Sequence, residues 1–319
     1  MPHTTSRRVF ASLGAATILA TALSVRQTQK PHTRNDDRPV VTCTVGMITD
    51  VAKNIGGDAF SISGLMGPGV DPHLYKPSAG DIVRLGDADL VLYGGLHLEG
   101  RMTETFDTLH HSGTTVSIPV SESIPVEQRL TVGEDAWDPH VWFDVSLWNI
   151  VAGRIAEGLT ETHPGEADAI AEREATYRQK LVDLDEWVYA ELGRVPEDIR
   201  VLVTAHDAFN YFGRRYDIEV VGLQGLSTAT EAGAGDVQDL ADMLAERQIP
   251  AIFVESSIPP STIKAVQAAT KSRGWDVKIG GELFSDAMGE AGTPDGTYIG
   301  MIRHNVTTIV EALLGEDAY

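Results

Sequence analysis

Short apolar runs that alternate with helical patterns constrain the fold of this chain more than any other feature of its sequence. The first four runs, at residues 40–47, 59–66, 89–93 and 114–118, have the length of strands. Four more strand candidates follow in the second half, at residues 201–204, 218–223, 251–255 and 277–280. Strands and helices in this order are typical of right-handed βαβ units, which build parallel sheets covered on both faces.

One long helical pattern separates the two sets of strands. Its apolar positions recur at helical period and are Ile170, Tyr177, Leu181, Leu184, Trp187 and Leu192. A helix of roughly thirty residues is about 45 Å long, enough to run along one domain and reach the next. We therefore predict an α/β fold of two (β/α)4-like lobes with parallel sheets joined by one long α-helix. The predicted bounds are 40–163 for the N-terminal lobe, 164–194 for the connecting helix and 195–319 for the C-terminal lobe.

The first residues predict an export signal rather than a part of the fold. Arg7 and Arg8 precede a small and apolar run that ends in an Ala-Thr-Ala cleavage pattern. The paired arginines resemble a twin-arginine signal, and the sequence leaves open which export route is used and whether the leader is cleaved. We assign residues 1–25 to the export signal and 26–39 to a linker.

The single cysteine and the net charge limit the location and the partners that we predict for the protein. Cys43 lies within an apolar strand pattern instead of directly after the leader, so we expect a buried thiol and no disulfide. From this we predict an exported protein at the periplasmic or extracellular face that is not a lipoprotein. The formal net charge of −21 argues against a nucleic-acid partner.

Four candidate ligands fall on loops at the carboxyl ends of predicted strands, where open α/β sheets place their ligands. They are His73, His140, His206 and Asp286. Three imidazoles and one carboxylate suit a divalent transition metal, although their wide separations match no local ligand motif. Asp71 and Asp138 each stand two residues before a candidate histidine, where each could orient the imidazole or form the turn.

Several longer segments resemble one family of metal-specific solute-binding proteins. These segments are VDPHLYKPS, DPHVWFDV, TAHDAFNYF, IFVESSIP and GGELFSDAMGEAGTPDGTYIGM. They are similar to the TroA-like zinc/manganese periplasmic binding proteins, cluster 9 (A-I) of the solute-binding proteins that serve ABC importers. The resemblance extends from Val40 to near Leu314. It implies two lobes joined by a rigid helix, with a metal between them held by His73, His140, His206 and Asp286.

The resemblance also implies a function. It is that of an extracytoplasmic protein that captures Zn²⁺ or Mn²⁺, with Fe²⁺ as a third candidate, and delivers it to an ABC permease and its ATPase. The protein is expected to be a monomer, to have no enzymatic activity and no catalytic residues, and to meet the membrane only through the permease or an uncleaved leader. Manganese-type relatives often carry Glu at the position of His206, and zinc-type relatives often carry a His-rich loop. This chain has neither, so its metal stays open.

Two alternatives use the same residues differently. One alternative is a metalloenzyme with a His3Asp site, as in superoxide dismutases, but their D-x-W-E-H segment is absent from the sequence. The nucleophile motif G-x-S-x-G and the zinc motif H-E-x-x-H are absent as well. A surface adhesin would need an exposed binding surface. Three further roles stay open, namely His97 as a fifth ligand or a packed imidazole, and Glu255 and Glu282 as supports for a ligand.

Overall fold

The structure is a computed structural model and describes residues 37–113, 115–132 and 136–315. The predicted export signal and most of the predicted linker lie outside the described residues. The described strands are β1 (Val40–Cys43), β2 (Ser61–Gly64), β3 (Leu90–Tyr93), β4 (Val116–Pro119), β5 (Thr131–Val132), β6 (Ala136–Trp137), β7 (Val201–His206), β8 (Glu219–Gln224), β9 (Ala251–Glu255) and β10 (Lys278–Leu283). The helices are α1 (Gly46–Gly56), α2 (Ala79–Asp87), α3 (Thr103–Ser112), α4 (Val145–Thr162), α5 (Ala167–Leu192), α6 (Asn210–Tyr216), α7 (Ala234–Arg247), α8 (Ser261–Ser272) and α9 (Tyr298–Leu314).

The first four strands form one parallel sheet in the order β2-β1-β3-β4. Cys43, the last residue of β1, pairs with Gly64 of β2 and Leu92 of β3, so the carboxyl ends of these strands lie at one edge. The first strand is shorter than the apolar run at residues 40–47 predicted, because the end of that run belongs to α1 and supplies Met47 to its buried face. An unbroken apolar run cannot show where a buried strand ends and a buried helix begins.

The connection after β4 contains a short piece of regular structure. The strands β5 and β6 form a small antiparallel hairpin in which Thr131 pairs with Trp137 and Val132 with Ala136. Strands of two residues are too short for an alternating pattern to be visible in the sequence. The hairpin ends just before His140.

The connecting helix is present as α5, which has 26 residues and a length of about 39 Å. It packs against α1 and α4 of the first lobe and against α6 and α9 of the second. Its buried side chains are Ile170, Tyr177, Leu181, Leu184, Val188 and Leu192. Trp187, one of the apolar positions of the predicted helix, is only partly buried, and the guanidinium of Arg303 lies over its ring at 4.5 Å.

The second lobe contains two parallel strand pairs, β7 with β8 and β9 with β10, and β7 lies beside β9. In the register of these pairs His206 lies opposite Gln224, and Glu255 lies opposite Leu283. The strand ends that carry His206 and Glu255 therefore share one edge. The helices α7 and α8 supply a separate apolar cluster to this lobe.

The main hydrophobic core is continuous across both lobes and α5. The rings of Trp148 and Tyr298 stack across it at 5.4 Å, and the backbone N–H of Tyr298 donates to Asp50 at 3.1 Å. Cys43 is buried in this core, as predicted, and burial raises the pKa of its thiol to about 12. No helix among the described residues is long and apolar enough to cross a membrane.

Candidate metal centre

His73 lies in the loop between β2 and α2, at the sheet edge where the sequence placed it. Asp71 closes the turn, because its Oδ1 accepts the backbone N–H of His73 at 2.8 Å. Ser78 caps the helix that follows, in a capping box with Asp81. The imidazole of His73 is therefore held mainly through the backbone of its own loop, and the residue is 7% exposed.

His140 follows the β5–β6 hairpin and is completely buried. Asp138 Oδ1 accepts both the backbone N–H of His140 at 2.9 Å and its ring Nδ1 at 2.8 Å. The second oxygen of Asp138 accepts the amide of Asn210 across the lobes at 3.2 Å. These bonds fix the tautomer of His140 so that Nε2 is the free ligand atom.

His206 ends β7 and is supported by Glu255 at the end of β9. The two oxygens of Glu255 accept the backbone N–H of His206 at 2.9 Å and its Nδ1 at 2.6 Å. Both residues are buried. Glu255, which the sequence left as a candidate, is therefore the carboxylate that orients this imidazole.

Asp286 follows β10 and faces the three histidines. Its preceding residue, Ser285, is held by the indole N–H of Trp142, which donates to the Ser285 carbonyl at 3.1 Å. Trp142 also packs edge-on against the ring of His140 at 5.3 Å. No sequence pattern indicates this link between the lobes, because the two residues are far apart in the chain.

The structure brings all four predicted residues together. One ligand atom from each of His73, His140, His206 and Asp286 lies within 4.8 Å of the other three. The Nε2 atoms of His73 and His140 are 3.2 Å apart. Asp286 Oδ1 is 3.4 Å from Nε2 of His140, and its Oδ2 is 3.3 Å from Nε2 of His206. Ligand atoms of a tetrahedral zinc site are about 3.3 Å apart when the bonds are about 2.0 Å long, so these separations suit a single cation.

Three of these atoms are buried without a hydrogen-bond partner among the described residues. They are Nε2 of His206 and both carboxylate oxygens of Asp286. Buried polar atoms are almost always paired in folded proteins, because an unpaired one loses its hydration without compensation. A divalent cation between them would satisfy all three.

The electrostatics of the centre favour a positive charge. Burial disfavours the charged imidazole of His140, but Asp138 and Asp286 outweigh burial and raise its pKa to about 9. Burial is likewise outweighed at His206 by Glu255 and Asp286, which hold its pKa well above the usual value. Burial and the neighbouring imidazoles lower the pKa of His73 to about 4, although Asp286 opposes them. The surplus of carboxylate that attracts these protons would also attract a metal cation.

Two other candidates do not join the centre. His97 is not in the group of converging ligand atoms, and because it is exposed it is not a packed imidazole. Glu282 is also exposed, and its backbone carbonyl accepts Nε2 of His304 at 3.0 Å. The sequence could not separate Glu282 from Glu255, because both fall near the carboxyl end of a strand.

Comparison with known proteins identifies the family. The model of the ZnuA family, described as zinc-uptake complex component A, periplasmic, matches residues 41–312. The chain belongs to this family. It is 53% identical over 278 residues to the zinc-binding protein TroA of Treponema pallidum (strain Nichols), across 87% of this chain and 90% of that protein. It is 47% identical over 303 residues to the manganese-binding lipoprotein MntA of Bacillus subtilis (strain 168), across 94% and 98% of the two chains.

A solved structure of the same family confirms the fold. The periplasmic zinc-binding protein TroA from Treponema pallidum superposes with a TM-score of 0.85 at 53% sequence identity, covering 86% of this chain and 99% of that chain. The predicted α/β fold with two lobes and a long connecting helix is therefore confirmed. These family members are named for the metals they bind rather than for an enzymatic reaction.

One prediction is contradicted. We expected an exported protein that is not a lipoprotein, whereas the relatives include the manganese-binding lipoprotein MntA of Bacillus subtilis and the manganese ABC transporter substrate-binding lipoprotein PsaA of Streptococcus mitis. The expectation was drawn from the position of Cys43. Cys43 is buried in β1, and this burial does not indicate how a family member is attached to a membrane.

Proposed function

We propose that this protein is an extracytoplasmic solute-binding protein that captures a divalent transition metal between its lobes and delivers it to an ABC importer. The convergence of four ligand atoms within 4.8 Å of one another carries the proposal. The names of the zinc-binding and manganese-binding relatives support it.

The ligands of the transported ion are His73, His140, His206 and Asp286. Three imidazole nitrogens and one carboxylate oxygen form a four-coordinate shell suited to Zn²⁺. Both oxygens of Asp286 lie toward the histidines, so Mn²⁺ can gain a fifth ligand atom when the carboxylate binds through both. Zn²⁺ binds more tightly than Mn²⁺ or Fe²⁺ to such a set, and availability then decides which ion is carried.

The completeness of the shell favours binding over catalysis. A catalytic zinc commonly keeps three protein ligands and one open position for water or substrate. Here four side chains converge, and their exposures range from 0 to 7%. We therefore propose that the protein is not an enzyme.

Binding of a metal between two lobes also predicts how the chain is divided. We propose a division into an N-terminal lobe at 40–163, a connecting helix at 164–194 and a C-terminal lobe at 195–319, with ligands contributed by both lobes. A permease and its ATPase are the partners, and the protein works as a monomer that contains one complete site per chain.

Metal titration of the purified protein tests the proposal. Calorimetry with Zn²⁺ and Mn²⁺ on the metal-free protein should give one ion per chain, with Zn²⁺ bound more tightly. Asp286→Asn keeps the shape of the side chain but removes its charge and should weaken both ions by at least about a hundredfold, because the roughly 10–16 kcal/mol of a structural zinc site is shared among four ligands.

The matched control is His97→Ala, which removes an exposed histidine away from the centre. It should bind like the wild type. A loss at His97→Ala equal to the loss at Asp286→Asn, or a wild type that binds no ion, would refute the assignment. Deleting the gene and measuring cellular uptake of the two ions tests delivery to the importer.

A further inference from the structure

A loop of the second lobe crosses to the loop that carries His73. We call residues 225–233, of sequence GLSTATEAG, the strap. The strap starts directly after Gln224, which lies opposite His206 in the β7–β8 pair. It ends at Gly233, whose backbone N–H donates to Asp236 at 2.7 Å as α7 begins. The strap is therefore fixed at both ends and begins beside a ligand of the centre.

Thr228, in the middle of the strap, bonds directly to the other lobe. Its hydroxyl donates to Asp71 Oδ2 at 2.5 Å. Asp71 Oδ1 accepts the backbone N–H of His73 at 2.8 Å. One carboxylate therefore connects the strap to the backbone of a candidate ligand.

This connection matters because His73 is supported differently from the other two histidines. His140 and His206 each have a carboxylate on Nδ1, at 2.8 and 2.6 Å. Asp71 gives both of its oxygens to other groups, the His73 backbone and the Thr228 hydroxyl. The orientation of His73 thus depends on the position of its loop, and the position of the loop depends on Asp71.

We propose that Thr228 is a positioning residue for the metal centre, and that its hydroxyl, by fixing Asp71 and hence His73, slows the departure of the bound cation. The inference rests on the proposed function and adds to it a residue that contacts neither the cation nor any of its ligands. Partners of metal ligands typically change affinity by about 10–100-fold when they are removed, and Thr228 acts one step further out. Its removal should therefore lie near the lower end of that range.

The test is the rate of Zn²⁺ release from the loaded full-length protein after mixing with excess chromogenic chelator. Thr228→Val removes the hydroxyl at nearly constant volume and should release Zn²⁺ about tenfold faster, with the stoichiometry still one per chain. Thr228→Ser retains the hydroxyl and should release Zn²⁺ within about twofold of the wild type. Thr228→Ala gives a second test of hydroxyl loss if the valine variant folds poorly.

Thr230→Val is the matched control, since it makes the same substitution in the same strap at an exposed position. It should release Zn²⁺ like the wild type, and the metal-free melting temperatures of Thr228→Ser and Thr230→Val should agree with that of the wild type. Wild-type rates for Thr228→Val and Thr228→Ala would overturn the inference alone. So would equal acceleration by Thr228→Ser or Thr230→Val. A wild type that holds no Zn²⁺ would overturn the inference and the proposed function together.

Discussion

The chain contains the tripeptide Asp-Pro-His twice, and the two copies behave differently. In the second copy Asp138 accepts the ring Nδ1 of His140, and the pKa of that imidazole is raised to about 9. In the first copy Asp71 accepts only the backbone of His73, and burial lowers the pKa of that imidazole to about 4. Identical local sequence therefore supplies one rigid, proton-attracting imidazole and one that is neutral and held through its loop.

The two aspartates also differ in their surroundings outside the tripeptide. Asp138 is completely buried, and its other oxygen is bonded to Asn210. Asp71 is only partly buried, and its other oxygen is bonded to Thr228 on the strap. Asp138 thus bonds to Asn210 of the opposite lobe and to the ring of its own histidine. Asp71 bonds to Thr228 of the opposite lobe and only to the backbone of its own histidine.

The largest expected effect comes from removing each histidine of the pair. His140→Ala and His73→Ala should each weaken Zn²⁺ binding by at least about a hundredfold, because each removes one of four ligands from a site of roughly 10–16 kcal/mol. His140→Ala should be the worse of the two, since its ring is already fixed before the metal arrives. Competition with a chelator of known affinity measures both. A greater loss at His73→Ala would reverse the comparison.

The next largest effect separates the two aspartates. Asp138→Asn should cost about 10–100-fold in affinity, whereas Asp71→Asn should cost less, because only Asp138 supports a ring nitrogen. Asp138→Asn should also lower the number of protons released on Zn²⁺ binding, since it removes the charge that raises the pKa of His140. Calorimetry at pH 7.5 in buffers of different ionisation enthalpy measures that number. Equal proton release from both variants would contradict the distinction.

The two histidines also predict opposite pH dependences for the metal-free protein. The raised pKa of His140, about 9, stabilises the fold fully below pH 6.5, and this contribution is lost as the pH rises through 9. The lowered pKa of His73, about 4, penalises the fold as the pH falls from 6.5 toward 4. The metal-free protein should therefore be most stable near pH 6.5 and melt roughly 5 °C lower at pH 9.

Calorimetric melting in the presence of a chelator tests this pH dependence. His140→Ala should reduce the decline above pH 6.5, leaving the part that comes from the raised pKa of His206, and should leave the decline below pH 6.5 in place. A melting temperature that rises steadily to pH 9 would show that His140 is not protonated in the metal-free fold.

The smallest expected effect concerns side chains that follow the two histidines in the chain, Trp142 after His140 and Leu74 after His73. Trp142→Phe removes the hydrogen bond to Ser285 and should cost about 1 kcal/mol of unfolding free energy. Leu74→Ala changes a side chain that is 38% exposed and should stay within about 0.5 kcal/mol of the wild type. Denaturant titration of both metal-free variants measures the difference. Equal losses would mean that the loop around His73 is as tightly packed as the segment around His140.

The sequence predicted the alternation of strands and helices well, because residue types that favour helix ends mark where several helices begin. Ser78 and Asp144, two residue types that favour helix N-caps, cap α2 and α4, and Thr297 caps α9. Prediction from the sequence failed where one apolar run contained both β1 and the start of α1. It also failed at β5 and β6, which are too short to show a period of two.

The four residues of the centre could also be named in advance, although spacing alone did not establish them. Their supports could be named only as candidates, because a Glu near the end of a strand gives the same pattern whether it faces a ligand, as Glu255 does, or solvent, as Glu282 does. Thr228 gave no signal at all. Its partner is 157 residues away, and no local pattern records such a contact.

The hydrophobic core that runs through both lobes has a consequence for how the chain can be divided. Separating the polypeptide at the turn before α5 would leave α5, with its buried Tyr177 and Leu184, on one fragment and two of the helices it packs against, α1 and α4, on the other. Neither half could then shield its apolar surface from water, and the fragments would aggregate unless they recombined. We therefore expect the two lobes to depend on each other for folding, because they share one core.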